Sequence, residues 1–302
     1  MSAQRADQLD PAVLAALGHL ELVARWAVDG FITGLHRSPK KGFSVEFAEH
    51  RPYMPGDDLR YLDWRIAARA DRWLVKQFEE ETNARAVLVL DTSKSMQWTG
   101  NPARLTKLAY AERLIAAIGL LLLRQRDAVG LVRFDAGLRS VVPPRAQRAQ
   151  WRRLVAALDE PGGGDASDVA GAMMQAGRIV RRPGFVVVVS DLLVDTGPVA
   201  DAARTLRARG HEVLIVQVMD PDERDFPELG EARYRDMESR VEIPASPSDV
   251  RASYQETVRE SLEEWRAALG RAGARYALAT TDEPFGKALR LLVGVNGRGA
   301  MI

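Results

Sequence analysis

The 302-residue chain contains no cysteine. Disulfides, thiolate zinc centres, iron–sulfur clusters and cysteine nucleophiles are therefore excluded. An excess of charge is also missing: 42 Lys and Arg stand against 41 Asp and Glu, a formal net charge of +1. That balance offers no global attraction to nucleic acid or to an anionic membrane. The basic stretches at 36–41 and 178–182 are short enough to be solvated surface. His36, His50 and His211 have no metal-binding spacing and read as surface or turn residues. Long hydrophobic runs are lacking too. The longest, LIAAIGLLLL at 114–123, is ten residues, and a membrane-spanning helix needs about 20. The first 30 residues open polar and interrupt their apolar stretch with His19, Glu21 and Arg25, unlike a secretory leader. These absences set the expectation of a soluble, cytoplasmic protein with no nucleic-acid partner and no stable membrane insertion.

Catalytic signatures are sparse. There is no Gly-x-Ser-x-Gly elbow, no phosphate loop, no dinucleotide fingerprint and no paired Glu/His metal motif. The expectation is a non-enzymatic protein.

What is present is a strand–helix rhythm. Residues 11–30 have helical apolar spacing, 43–47 alternate like a short strand, 59–70 read as a helix behind Asp57 or Asp58, and 72–81 alternate as an edge strand. From residue 84 the pattern changes. Continuous apolar strands are expected at 84–90 and 184–190, with further strands at 127–134, 138–144, 211–220 and 274–280. Helices are expected at 102–125, 148–160, 167–182, 197–210, 250–273 and 284–294. Val- and Leu-rich strands alternating with amphipathic helices imply a doubly wound α/β domain with a mostly parallel sheet. The division predicted is an N-terminal helix and charged β/helical extension over 1–82, an α/β domain over 83–294, and a tail over 295–302. An acidic, turn-rich insertion at about 220–247 interrupts the domain with two short strand candidates.

The stretch VLVLDTSKSM, residues 87–96, ends an apolar strand in Asp91, Ser93 and Ser95. In open α/β sheets, ligands bind just past the carboxyl ends of strands where strand order reverses. Alternate residues on a tight loop can aim at one point, and an oxygen-only pocket suits a hard cation such as Mg²⁺. The second apolar strand ends in Asp191 and reaches the same crevice if the two strands are neighbours. A third, glycine-rich loop at 162–173 supplies Asp165, Ser167 and Asp168 at the start of a helix. Ser167 or Asp168 could also cap that helix, and Asp91, Ser93 and Ser95 could cap the next turn by Asx and Ser hydrogen bonds. Lys94, between the two serines, reads as pointing to solvent.

Asp-x-Ser-x-Ser after the first core strand, a hydroxyl in a second loop and an aspartate after a later strand resemble the metal-ion-dependent adhesion site of von Willebrand factor type A domains. The resemblance implies that Ser93 and Ser95 ligate Mg²⁺ directly, with Mn²⁺ or Ca²⁺ as alternative occupants, while Asp91 and Asp191 act mainly through water. The third-loop ligand of such sites is usually threonine. Counting back from AGAM, Ser167 holds that place, and Asp165 is its rival.

The block at 46–81, EFAEHRPYMPGDDLRYLDWRIAARADRWLVKQFEEE, placed directly ahead of such a domain, resembles the family called domain of unknown function 58. The resemblance spans roughly residues 40–220. It implies association with a MoxR-type AAA+ ATPase, and this sequence retains metal-site residues that many members lack. Within the block, Arg51, Asp57, Asp58, Arg60, Asp63, Trp64 and Arg69 form either an ion-paired clasp, anchored by Tyr61 and Trp64, or a docking surface for the ATPase. The expected function is a Mg²⁺-dependent protein-interaction module that binds an acidic side chain of a client during assembly, remodelling or metal-loading. A metal-dependent hydrolase and a structural module with an empty site are alternatives built on the same residues.

Overall fold

The structure is a computed structural model. It describes Ala24 and residues 50–52, 73–76, 84–147, 149–226, 232–235, 242–245 and 247–284; for 50–52, 74–76, 232–235, 242–245 and 247–250 the description is of the backbone. The chain forms two compact units, residues 39–83 and residues 1–38 together with 84–302. The division therefore cuts through the expected 1–82 extension. Ala24, a helical residue with no exposed surface, belongs to the core of the larger unit.

In the smaller unit, β1 (His50–Pro52) pairs antiparallel with β2 (Leu74–Lys76). β2 falls inside the strand expected at 72–81, whereas β1 forms between the elements expected at 43–47 and 59–70. The expected elements at 43–47 and 59–70 lie outside the described residues, as do the side chains of Arg51, Asp57, Asp58, Arg60, Asp63, Trp64 and Arg69.

The larger unit is built on β3 (Arg85–Asp91), α1 (Lys107–Arg124), β4 (Ala128–Phe134), β5 (Leu138–Arg145), α2 (Ala149–Leu158), α3 (Val169–Val180), β6 (Phe185–Ser190), α4 (Thr196–Ala208), β7 (Glu212–Met219), α5 (Pro221–Asp225), β8 (Ala232–Arg235), β9 (Glu242–Ala245), α6 (Pro247–Arg271) and β10 (Arg275–Thr280). Six strands form one sheet in the order β10-β7-β6-β3-β4-β5, parallel throughout except for β5 at one edge. This is the doubly wound α/β architecture that the strand–helix rhythm implied. Within the insertion, β8 and β9 pair with each other as a separate antiparallel ribbon. The helix expected at 284–294 lies outside the described residues apart from Pro284, which is not helical.

Side-chain parity explains the continuous apolar strands. Along β3, Ala86, Leu88 and Leu90 enter one core with α1 and α2, while Val87 and Val89 enter the other with α3, α4 and α6. β6 divides in the same way, Val187 and Val189 to one side and Val186 and Val188 to the other. Successive residues of a strand face opposite sides, so a strand covered by helices on both faces must be apolar at every position. Each fully buried Val or Leu contributes roughly 1.5–3 kcal/mol. Trp265 on α6 is part of the second core, whereas Tyr254 is half-buried and stacks at a tilt on Phe226. Among the described residues, no helix is long and apolar enough to cross a membrane.

Strand order reverses at β3. The chain leaves it through α1 to β4 on one side, and after β5 it returns to β6 on the other. Leu90 aligns with Val189 and Asp91 with Phe134. The exits of β3 and β6 therefore stand side by side at the switch point.

Candidate cation site

Asp91 is the last residue of β3 and is fully buried. Its Oδ1 accepts the backbone N–H of Ser93 at 2.9 Å. Its Oδ2 accepts two hydroxyls, from Ser167 and from Ser190, each at 2.7 Å. The three donors come from three segments: the β3 loop, the glycine-rich loop and the end of β6. The Ser93 and Ser95 hydroxyls lie 3.2 Å apart. Burial pushes the Asp91 carboxyl above its ordinary value, and the nearby charge of Asp191 pushes it further; the donors from Ser190, Ser93 and Ser167 pull the other way.

The third loop is laced to the first by backbone. Ser93 forms a parallel bridge with Gly164, Lys94 N–H donates to Gly164 O at 2.8 Å, and Gly163 N–H donates to Thr92 O at 2.7 Å. The approach is close enough to require glycine. A Cβ on residue 162 would lie 2.8 Å from both the carbonyl oxygen and the Cβ of Thr92, and Gly163 has φ +129°. Asp168 caps α3, accepting the N–H of Gly171 at 2.9 Å, which leaves Ser167 to face Asp91. Asp165 instead lies on the surface, its side chain 85% exposed, 3.4 Å from Lys94 Nζ. Lys94 is accordingly partnered as well as solvated.

Asp191 follows β6, 3% exposed. The next residue, Leu192, has φ +56°, a left-handed conformation that costs a β-carbon residue roughly 1–3 kcal/mol. Burial of Leu192 in the core and its N–H bond to Ser190 Oγ, 3.0 Å, offset that cost. This kink leaves Leu193 63% exposed at the rim beside Asp191.

Asp191 is also held by a residue that sequence reasoning missed. Lys107, 1% exposed, donates from Nζ to Asp191 Oδ2 at 2.9 Å and to Glu223 Oε1 at 2.5 Å. Burial works against its charge, but the carboxylates of Asp191 and Glu223 hold its ammonium above the ordinary lysine value. Glu223 is fixed in turn by the α5 capping box, its Oε2 accepting Asp220 N–H at 3.0 Å. The sequence carries one signal for Lys107. Helix starts favour acidic residues, and here a lysine occupies the first position after the Thr106 cap. Ser190 was also missed, although it is the polar residue that ends the run VVVVS.

The structure thus gathers Asp91, Ser93, Ser95 and Ser167, sets Asp191 where its charge acts on Asp91, and leaves Asp165 outside. The donor set is hydroxyl and carboxylate oxygen, which fits a hard divalent cation. Among the described residues no group of three or more His, Cys, Asp or Glu is placed to hold a metal, so a cation here would depend on serine hydroxyls. His211 stands far from surface expectations: it is 4% exposed, between the turn at 209–210 and β7.

Comparisons place the chain among known sequences. Uncharacterized proteins of Mycobacterium tuberculosis (Rv1480) and Mycobacterium bovis (Mb1516) are each 33% identical to it over 242 residues, covering 78% of this chain and 74% of theirs. Among solved structures, the conserved hypothetical protein BatB of Bacteroides thetaiotaomicron is 20% identical over 70% of this chain and 98% of its own, with a TM-score of 0.46. The SpRpn10 VWA domain is 9% identical over 68% and 93%, with a TM-score of 0.43. Both scores fall short of 0.5, so the fold rests on the sheet order itself. The family described as protein of unknown function DUF58 matches residues 49–264, and with one-third identity to relatives across three-quarters of its length, this chain belongs to that family.

Proposed function

We propose that the protein is a non-enzymatic, divalent-cation-dependent protein-interaction module. The observation that carries the reading is the meeting of three segments on Asp91: the N–H of Ser93, the hydroxyl of Ser167 and the hydroxyl of Ser190, with the Ser93 and Ser95 hydroxyls alongside and the charge of Asp191 close enough to act on it. Two buried carboxylates near each other are unfavourable unless positive charge compensates them. Ser93, Ser95 and Ser167 would hold Mg²⁺ there, and Asp91 and Asp191 would supply the negative charge. When bound, the ion offers a partner's carboxylate an open coordination position. The exposed Leu193 at the rim adds apolar contact for the same partner.

The family match carries no stated function; the family resemblance noted from the sequence suggests the working partner proposed, a MoxR-type AAA+ ATPase in the cytoplasm, acting on a client that presents an acidic side chain. Capture of the cognate ATPase and client by the full chain is expected in Mg²⁺, to be lost in chelator, and to be lost in Asp91→Asn with Mg²⁺ present. Capture indifferent to both chelator and substitution would remove the adhesion mechanism. One observation favours a second reading, a structural module that binds no metal: the Lys107 ammonium already neutralises part of the charge on Asp191. Isothermal titration of the wild-type chain with Mg²⁺ separates the two readings directly.

A further inference from the structure

Lys107 is poorly placed for its own helix. It is the first residue of α1, where the positive end of the helix dipole disfavours a cation. It is also buried to 1% exposure, where an ammonium loses its hydration. Two carboxylates compensate it, Asp191 through Oδ2 and Glu223 through Oε1.

We infer that Lys107 sets the affinity and the ion selectivity of the site by occupying one oxygen of Asp191. The inference rests on the divalent-cation reading above. With Oδ2 held by the ammonium, Asp191 has Oδ1 to offer, which receives the Leu193 N–H at a long 3.4 Å. Asp91 is no freer, since Oδ1 accepts one donor and Oδ2 two. Neither carboxylate has both oxygens free of a hydrogen-bond donor. Ca²⁺ takes six to eight oxygens and commonly uses bidentate carboxylates, whereas Mg²⁺ retains water and needs few protein ligands. Lys107 therefore biases the site against Ca²⁺ by chelation geometry. Its positive charge also lowers the affinity for either ion. Glu223 gives the ammonium a second anchor on α5, in the capping box that also binds Asp220 N–H. It draws part of the lysine's charge away from Asp191.

Titration of the full chain with Mg²⁺ and with Ca²⁺, each paired with a melting curve, tests the assignment. Lys107→Met is expected to bind Mg²⁺ at least about tenfold tighter and to gain more for Ca²⁺ than for Mg²⁺. Lys107→Arg, which keeps the charge, gains none of this. Glu223→Gln, which leaves the ammonium to Asp191 alone, is expected to weaken Mg²⁺ binding about threefold or more. A merely structural lysine would give the opposite result for Lys107→Met, because loosening the site weakens binding. A folded Lys107→Met with unchanged or weaker Mg²⁺ affinity overturns the inference. If that variant does not fold, unchanged affinity in Glu223→Gln overturns it. A wild-type chain that binds no Mg²⁺ removes the cation reading and this inference together, an outcome distinct from one in which only the variants fail to differ.

Discussion

The exits of neighbouring strands β3 and β6 present the same residue type, Asp91 as the last residue of β3 and Asp191 just past the end of β6, yet their surroundings differ. Asp91 is held by neutral donors, one N–H and two hydroxyls. Asp191 is held by an ammonium. Dipoles orient a carboxylate without cancelling its charge, while a lysine shared between two carboxylates neutralises part of it. The β3 exit therefore keeps its negative charge without a cationic partner, whereas the β6 exit has part of its own neutralised by an ammonium shared with Glu223. A cation arriving in the crevice would gain most from Asp91, with Asp191 as the adjustable partner.

The widest separation between the two exits is expected from their amide variants. Asp91→Asn keeps the shape, and the Ser167 and Ser190 hydroxyls can turn to meet the amide. Mg²⁺ affinity is expected to fall at least about a hundredfold, while the melting temperature in chelator stays level or rises, because a buried uncompensated charge is gone. Asp191→Asn is expected to cost about tenfold in Mg²⁺ affinity and to destabilise the apo protein by about 3 kcal/mol, because Lys107 is left with Glu223 alone. Titration and denaturant melts measure both, and equal effects at the two positions would abolish the contrast.

Gly162→Ala tests whether the third loop is held against the β3 exit by backbone approach. The new methyl group would meet the Thr92 carbonyl at 2.8 Å, so backbone must shift. A loss of about 1–3 kcal/mol in stability is expected, with weaker Mg²⁺ binding in the same titration. Ser167→Ala is expected to cost roughly 1.5–3 kcal/mol in stability, less if water replaces the lost hydroxyl, and to weaken Mg²⁺ binding. Asp165→Ala, at a solvated and distant-facing carboxylate, is expected to change both by less than about 0.5 kcal/mol. A larger effect at Asp165 than at Ser167 would reverse their assignment.

A separate test concerns a carboxylate away from both exits. Burial pushes Glu112 on α1 from its ordinary 4.5 up to about 7, against the lowering charges of Arg133 and Arg113. The folded state therefore keeps its proton in a window where the unfolded chain has lost it. Stability from this group is greatest at and below about pH 4.5, falls as pH rises toward 7, and is level above that. Melting curves of Glu112→Gln and wild type at pH 5 and pH 8 should show the variant gaining on wild type at the higher pH. A constant difference between them would show that Glu112 titrates normally.

Much of this was legible along the chain because it is local. Unbroken apolar residues at 84–90 and 184–190 required strands covered on both faces, and the structure divides them by parity between two cores. The change from apolar to Asp91-Thr-Ser-Lys-Ser marked a strand exit, and the glycines at 162–164 marked a close loop. The long helix was expected from residue 102 but starts at Lys107, because Thr106 supplies the side-chain cap, accepting Ala109 N–H at 3.1 Å. His211 was expected at a turn or surface. It follows the turn at 209–210, directly before β7, but packing covers it, leaving it 4% exposed.

The sequence by itself determined the parallel sheet, the carboxylates at two strand exits and the serines beside one of them, because strand periodicity and turn chemistry act over a few residues. Tertiary structure decided that β3 and β6 are neighbours, that Ser167 faces Asp91 while Asp165 faces solvent, and that Lys107 reaches Asp191 across 84 positions of chain. Those contacts depend on strand order and on burial of charge, which no local pattern encodes: a lysine becomes the partner of a distant aspartate when folding removes the water from both.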